Sequence, residues 1–205
     1  MECKIFVKIC GIKRKEDIEY VNILKPDFVG FVFAKSKRQI DIYKAKKLIS
    51  LLNQNIKTVG IFVNKPVSDL IQMVNYLKLN VVQLHGEEDE EYIKNIKSLL
   101  NKKYVEIWKS ICISHEKDVE KINICTADKV LLDHGRGGTG ISFPWNILKN
   151  KNIVKPIILA GGLNSENVKN AIEIVKPYGV DVSSGVEING IKNFNKINEF
   201  IKACK

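Results

Sequence analysis

The sequence predicts an α/β fold, a single-domain (β/α)8 barrel of the TIM class over residues 1–205, and three observations carry the prediction. β-rich apolar runs alternate with amphipathic segments along the whole chain. The runs begin roughly every 23 to 30 residues, the length of one βα unit. Eight such runs fit in 205 residues, whereas a doubly wound sheet usually has about five or six strands.

The first run, Cys3 to Ile9, puts Ile5, Val7 and Ile9 on one face and Lys8 with Cys10 on the other. The aliphatic face suits packing on helices, which leaves Cys10 at the rim of the interior. A helix over 15–24 follows, then a run at Asp27 to Phe33 and a helix over 41–53. The third and fourth runs, Lys57 to Val63 and Asn80 to Leu84, precede helices over 67–78 and 88–100, and Gln83 shares a face with His85. Tyr104 to Ile111 and Lys129 to Leu132 lead into helix-like segments over 115–124 and 144–149; here Leu131 and Asp133 share a face. The last runs, Pro156 to Ala160 and Gly179 to Val182, precede helices over 165–176 and 193–203, with Asp181 and Ser183 on one face. In a barrel these inward residues meet where strands end and βα loops begin.

Composition narrows the function. The five cysteines form no CxxC pair and no ligand-like grouping with the three histidines, so neither a zinc site nor a disulfide framework is expected. No stretch approaches the ~18 apolar residues that would suggest a membrane span, and the expected location is the cytoplasm. The net charge of +10 comes from 33 Lys and Arg, of which Arg14, Arg38 and Arg136 are the arginines. The lysines are scattered over helix faces without interleaved aromatics, which argues against nucleic acid and leaves an anionic small molecule as the expected partner. Oligomeric state is left open by the sequence.

Two turns suit a phosphate. In PIILAGGLNSENV, Pro156 to Val168, a short strand meets Gly161 and Gly162 and then a helix that Asn164 or Ser165 can cap. GVDVSSGVE, Gly179 to Glu187, offers Ser183, Ser184 and Gly185 just past a strand end. Glycine lets a backbone approach a ligand closely, and opening helical amides have no internal partners. Each turn alone is an ordinary connection; together they form a phosphate-site expectation.

Several local words resemble one family. They are KICGI (Lys8 to Ile12), GFVFAKSKR (Gly30 to Arg38), VGIFVN (Val59 to Asn64), VQLHGEE (Val82 to Glu88), LLD (Leu131 to Asp133), GGTG (Gly137 to Gly140), GGLNSENV and DVSSGVE. In this order and spacing they resemble phosphoribosylanthranilate isomerase. The resemblance implies a (β/α)8 barrel that converts N-(5-phosphoribosyl)anthranilate to 1-(2-carboxyphenylamino)-1-deoxyribulose 5-phosphate, an Amadori rearrangement of tryptophan biosynthesis, with no metal and no organic cofactor.

The same resemblance implies roles. Cys10 is the general base and Asp133 the general acid. Arg38 takes the benzoate carboxylate, and a guanidinium fork suits that planar anion. Gly161, Gly162, Ser183, Ser184 and Gly185 hold the phosphate. Asp181 contacts sugar hydroxyls or a lysine, with a buried ion pair the equal alternative, and Gln83 and His85 shape the pocket. The loop Gly135 to Gly140 is a candidate cover. Chemistry adds conditions: Asp133 has to be desolvated or near another anion to stay protonated, and Cys10 works best beside positive charge, for which Lys8 is a source. A different phosphate-binding barrel of amino-acid biosynthesis, or a non-catalytic binder of phosphosugars or nucleic acid, are the competing classes.

Overall fold

The computed structural model describes residues 4–100, 105–134, 144–149 and 151–205. Eight parallel strands close on themselves in sequence order: β1 (Phe6–Cys10), β2 (Phe28–Val32), β3 (Lys57–Phe62), β4 (Val81–Leu84), β5 (Glu106–Cys112), β6 (Lys129–Asp133), β7 (Ile157–Leu159) and β8 (Gly179–Val182). The predicted barrel is therefore the observed one. Closure is made by β1 against β8, which sets Lys8 opposite Asp181.

Among the described residues six α-helices lie outside and between strands: α1 (Lys15–Leu24), α2 (Ile42–Ser50), α3 (Val67–Leu77), α4 (Glu90–Leu99), α5 (Glu120–Ile124) and α6 (Val168–Val175); α7 (Phe194–Ala203) follows β8. Their apolar residues recur every three or four positions, so each presents one stripe to the sheet, as Leu70, Val74 and Leu77 of α3 do. Each fully buried side chain of this kind contributes about 1.5–3 kcal/mol. Starts are capped by side chains: Asp41 accepts from the Lys44 amide and Asp89 from the Tyr92 amide. Three helices, α1, α3 and α6, stop at lysines in the left-handed region, Lys25, Lys78 and Lys176. Glycine is the usual residue at such a stop.

The helices expected after β5 and β6 are only partly formed. Segment 115–124 is a 3-10 turn (Glu116–Val119) running into the single-turn α5, and 144–149 contains only a 3-10 turn, Trp145–Leu148. Proline at 144 and too few residues before Lys149 leave no room for a longer helix. At α6 the side chain of Asn164 accepts the amides of Glu166 and Asn167, so the cap is formed while regular helix begins at Val168.

Strand alternation sorts the core into two shells. Val7, Ile9, Val29, Phe31, Val82, Leu84, Val130 and Leu132 pack outward on helices. Phe28, Val59, Ile61, Val81, Trp108, Leu131, Ile158 and Ala160 fill the barrel, with Cys10 packed against them. One feature was not expected from the periodicity: a hairpin after β8, formed by β9 (Glu187–Ile188) and β10 (Ile191–Lys192). Its turn is Asn189-Gly190, both at positive φ, the usual chemistry of a two-residue hairpin turn. Among the described residues no helix is long and apolar enough to cross a membrane.

Candidate active site

The site is built from strand ends. β1 finishes at Cys10, and its neighbour in register on β2 is Gly30. A β-carbon on Gly30 would lie 3.1 Å from the Cys10 Sγ, so the absent side chain makes room for the thiol. Lys8, two residues earlier on the same face, is buried and donates to Asp181 Oδ1 at 2.9 Å. Asp181 thus contacts a lysine, in a buried ion pair. The ammonium is held where it also acts on Cys10.

Asp133 closes β6 and is buried, with Oδ1 accepting the His134 amide at 2.7 Å. A side chain at Gly161 would come within 2.7 Å of that oxygen, and Gly161 has φ of 81°, which L side chains rarely adopt. The first phosphate turn is therefore packed on the carboxyl group. The second turn packs on the first: a β-carbon on Gly185 would fall 2.0 Å from the Leu163 carbonyl oxygen. Ser183 to Gly185 open a 3-10 turn (Ser184–Val186), whose first amides have no carbonyl inside the turn to pair with. Ser183 Oγ donates to the Cys10 carbonyl oxygen at 3.1 Å and ties this turn to the end of β1.

Arg38 reaches the same place from the loop after β2. Ser36 organises the loop AKSKRQ, its Oγ accepting the Arg38 amide and its carbonyl the Gln39 amide. The Arg38 stem crosses Gly11, where an added β-carbon would meet Cδ at 2.5 Å. The guanidinium forms a two-pronged bond with Glu187, Nε to Oε1 at 2.7 Å and Nη2 to Oε2 at 2.8 Å. Arg14, by contrast, is spent on Asp17 at the start of α1, and Arg136 with the Gly135 to Gly140 loop lies outside the described residues.

On the other side of the mouth, Gln83 Nε2 and His85 Nδ1 are 3.3 Å apart, and Gln83 Oε1 is buried without a hydrogen-bond partner among the described residues. Glu88 holds the β3, β4 and β5 ends together: it accepts the Asn64 amide at 2.7 Å, the Gly86 amide at 2.9 Å and Lys109 Nζ at 2.9 Å. A cavity of about 800 Å³ adjoins His85, Gly86, Glu88 and Lys109. It extends away from Cys10 and Asp133 toward α5, so the strand-end cluster around those two residues, not the cavity's size, defines the candidate site.

Protonation follows burial. Burial raises the Asp133 carboxyl above the ordinary carboxylate value, as an acid at neutral pH requires. Burial also pushes the Cys10 thiol up; Lys8 and Lys192 oppose this without reversing it. The positive charge expected beside the thiol is therefore present and acts in the expected direction, but Asp181 offsets it and desolvation outweighs it. Burial lowers His85, which keeps the imidazole neutral. Burial would lower Lys8, but Asp181 holds it above the ordinary ammonium value.

Two functional groups escaped the sequence reading, Glu187 and Lys192. Glu187 ends the word DVSSGVE, and the Asn189-Gly190 pair after it is the one sequence signal of the hairpin that brings Glu187 and Lys192 together. The model for N-(5'-phosphoribosyl)anthranilate isomerase matches residues 7–203. The chain belongs to this family. It is 52% identical over 203 residues to the isomerase of Thermoanaerobacter pseudethanolicus, covering 97% of each chain. Among solved structures, phosphoribosylanthranilate isomerase of Thermotoga maritima superposes with a TM-score of 0.88 at 38% identity over 98% of both chains. A structure of the isomerase in complex with reduced 1-(o-carboxyphenylamino)-1-deoxyribulose 5-phosphate gives 0.86, also at 38% identity and 98% of both chains.

Proposed function

We propose that Cys10 and Asp133 are the base and acid with which this isomerase converts N-(5-phosphoribosyl)anthranilate to 1-(2-carboxyphenylamino)-1-deoxyribulose 5-phosphate. Asp133 gives its proton to the furanose ring oxygen as the ring opens, and the anthranilate nitrogen becomes a Schiff base. The Cys10 thiolate then removes the proton from the adjacent sugar carbon. The resulting enolamine tautomerises to the aminoketose. Every step is a proton transfer with its bond rearrangement, so side-chain acids and bases suffice.

The observation that carries this reading is a buried carboxyl group and a half-buried thiol at the ends of strands on one mouth, the carboxyl raised above its ordinary range by desolvation. Arg38 receives the benzoate carboxylate. Gly161, Gly162, Ser183, Ser184 and Gly185 receive the phosphate through amides and hydroxyls. Gln83 offers its spare Oε1 to a substrate donor, and Asp181 serves substrate indirectly, by holding Lys8 beside the thiol. The whole chain acts as one catalytic domain in the cytoplasm on a small phosphorylated substrate.

The test is conversion of freshly generated phosphoribosylanthranilate, with the product separated and identified by mass. Rapid conversion by the parent and little by Cys10→Ser supports the assignment. Near-parental turnover by folded Cys10→Ser removes the cysteine from the role of base.

A further inference from the structure

Arg38 is engaged by a carboxylate of its own chain, and the manner of that engagement is informative. Glu187 takes the Nε and Nη2 donors, the side-on edge of the guanidinium. A guanidinium has a second, end-on edge formed by its two terminal nitrogens, and a carboxylate can take either edge in two-pronged fashion. With the side-on edge occupied, only the end-on edge remains for another anion.

The carboxylate that occupies Arg38 is itself held. The hairpin turn at Asn189-Gly190 pairs Glu187 with Lys192 in register. Lys192 Nζ donates to Glu187 Oε1 at 2.7 Å and to the Ser183 carbonyl oxygen at 2.9 Å, with Ser183 Oγ at 3.4 Å. All three charged side chains are largely buried, Arg38 at 10% exposed, Glu187 at 6% and Lys192 at 2%. One carboxylate between two cations leaves a net positive charge at this place. A continuous chain of bonds therefore runs from Arg38 through Glu187 and Lys192 to Ser183, and from Ser183 to the backbone of Cys10.

We infer that Glu187 is a positioning residue, locked by Lys192, that aims the end-on edge of Arg38 at the substrate's benzoate carboxylate and fixes its distance from the phosphate turn. Neither residue touches the reacting atoms. A flexible arginine would bind the carboxylate at a cost in side-chain freedom; this one has its geometry set in advance. The inference rests on the proposed role of Arg38, and the experiment separates the two.

The measurement is the Kd of two ligands by calorimetry: the reduced product analogue 1-(o-carboxyphenylamino)-1-deoxyribulose 5-phosphate, and its counterpart without the carboxyl group. The parent binds the carboxylated ligand more tightly. Glu187→Gln, which keeps shape and one acceptor, is expected to weaken the carboxylated ligand about tenfold and leave its counterpart within about twofold. Adding Glu187→Gln to Arg38→Gln should cost the carboxylated ligand nothing further, since the effect passes through the arginine.

If Glu187→Gln weakens both ligands equally, or the two substitutions add, Glu187 is merely structural and the inference falls while the role of Arg38 stands. A parent that does not distinguish the ligands removes the role of Arg38 and the inference with it. Lys192→Met covers the case of an insoluble Glu187→Gln protein: it frees one end of Glu187 and should also narrow the preference for the carboxylated ligand, and an unchanged preference overturns the inference.

Discussion

The two ends of the barrel interior are built from opposite materials. At the end where the strands begin, aromatic rings fill the space: Phe6 stacks on Tyr178 at 4.5 Å and Phe28 meets Trp108 edge-on at 5.0 Å. The polar groups there serve the rings. Trp108 Nε1 donates to Glu106, Lys129 pairs with the same carboxylate, and its Nζ lies 4.8 Å from the Tyr178 ring centroid. At the end where the strands finish, the buried groups include Lys8, Asp181, Asp133, Gln83, Glu88, Arg38, Glu187 and Lys192. Burying charge costs more than burying rings, so the second end is bearable only because most of its charges are paired. The aromatic floor carries stability, and the charged mouth accepts instability in exchange for chemistry.

This division makes predictions that can break it. The largest effect belongs to the mouth: Cys10→Ser and Asp133→Asn should each lower kcat by about 10²–10⁴-fold while thermal unfolding stays near that of the parent. A large drop in Tm for either would show that the reacting groups also hold the fold. The floor should behave in the opposite way. Trp108→Ala is expected to cost about 3–5 kcal/mol in urea unfolding, with kcat of the folded fraction close to parental.

The Lys8–Asp181 pair lies where the two descriptions meet. Asp181→Asn leaves a buried ammonium without its counter-charge and should destabilise by about 3–5 kcal/mol, besides altering the environment of Cys10. Full stability in that variant would mean that Lys8 finds other compensation and that the mouth is less strained than its charges suggest.

pH sharpens the comparison further. The acid must be protonated and the base deprotonated, yet the thiol is raised above its ordinary value and the carboxyl, though raised, starts far below it. The active form is then a minor species, most abundant between the two pKa values. kcat/KM should rise with pH through the Asp133 titration, level off, and fall only when the remaining protonated Asp133 is no longer matched by a growing thiolate population, that is, above the Cys10 titration. In Asp133→Asn the rise on the acid side should move to the Cys10 titration. An acid limb that stays in place would assign it to another group.

The smallest expected effect lies outside both ends. Lys78 closes α3 in the left-handed region at φ of 54°. Lys78→Gly removes that strain at the expense of unfolded-state entropy and should raise stability by about 0.5 kcal/mol, with activity unaltered. A loss of activity there would connect the outer helices to the mouth.

Much of this was legible from local order. A period of two in the strands and near 3.6 in the helices marks eight βα units, and alternation on β1, β6 and β8 turns Lys8, Cys10, Asp133 and Asp181 inward. Glycines at 161 and 185 marked the turns that crowding and positive φ now explain. What escaped was the Glu187–Lys192 hairpin, because two-residue strands carry too little periodicity to stand out, although Asn189-Gly190 marked the turn.

The sequence by itself determined the alternation of elements, the faces of the strands and the family words, because all of these depend on neighbours along the chain. Only the tertiary structure decided that Asp181 meets Lys8 across 173 positions and Glu187 meets Arg38 across 149. It also decided that burial outweighs the nearby lysine at Cys10. Such pairings follow from barrel closure and from the depth at which each group is buried, and both are properties of the folded chain as a whole.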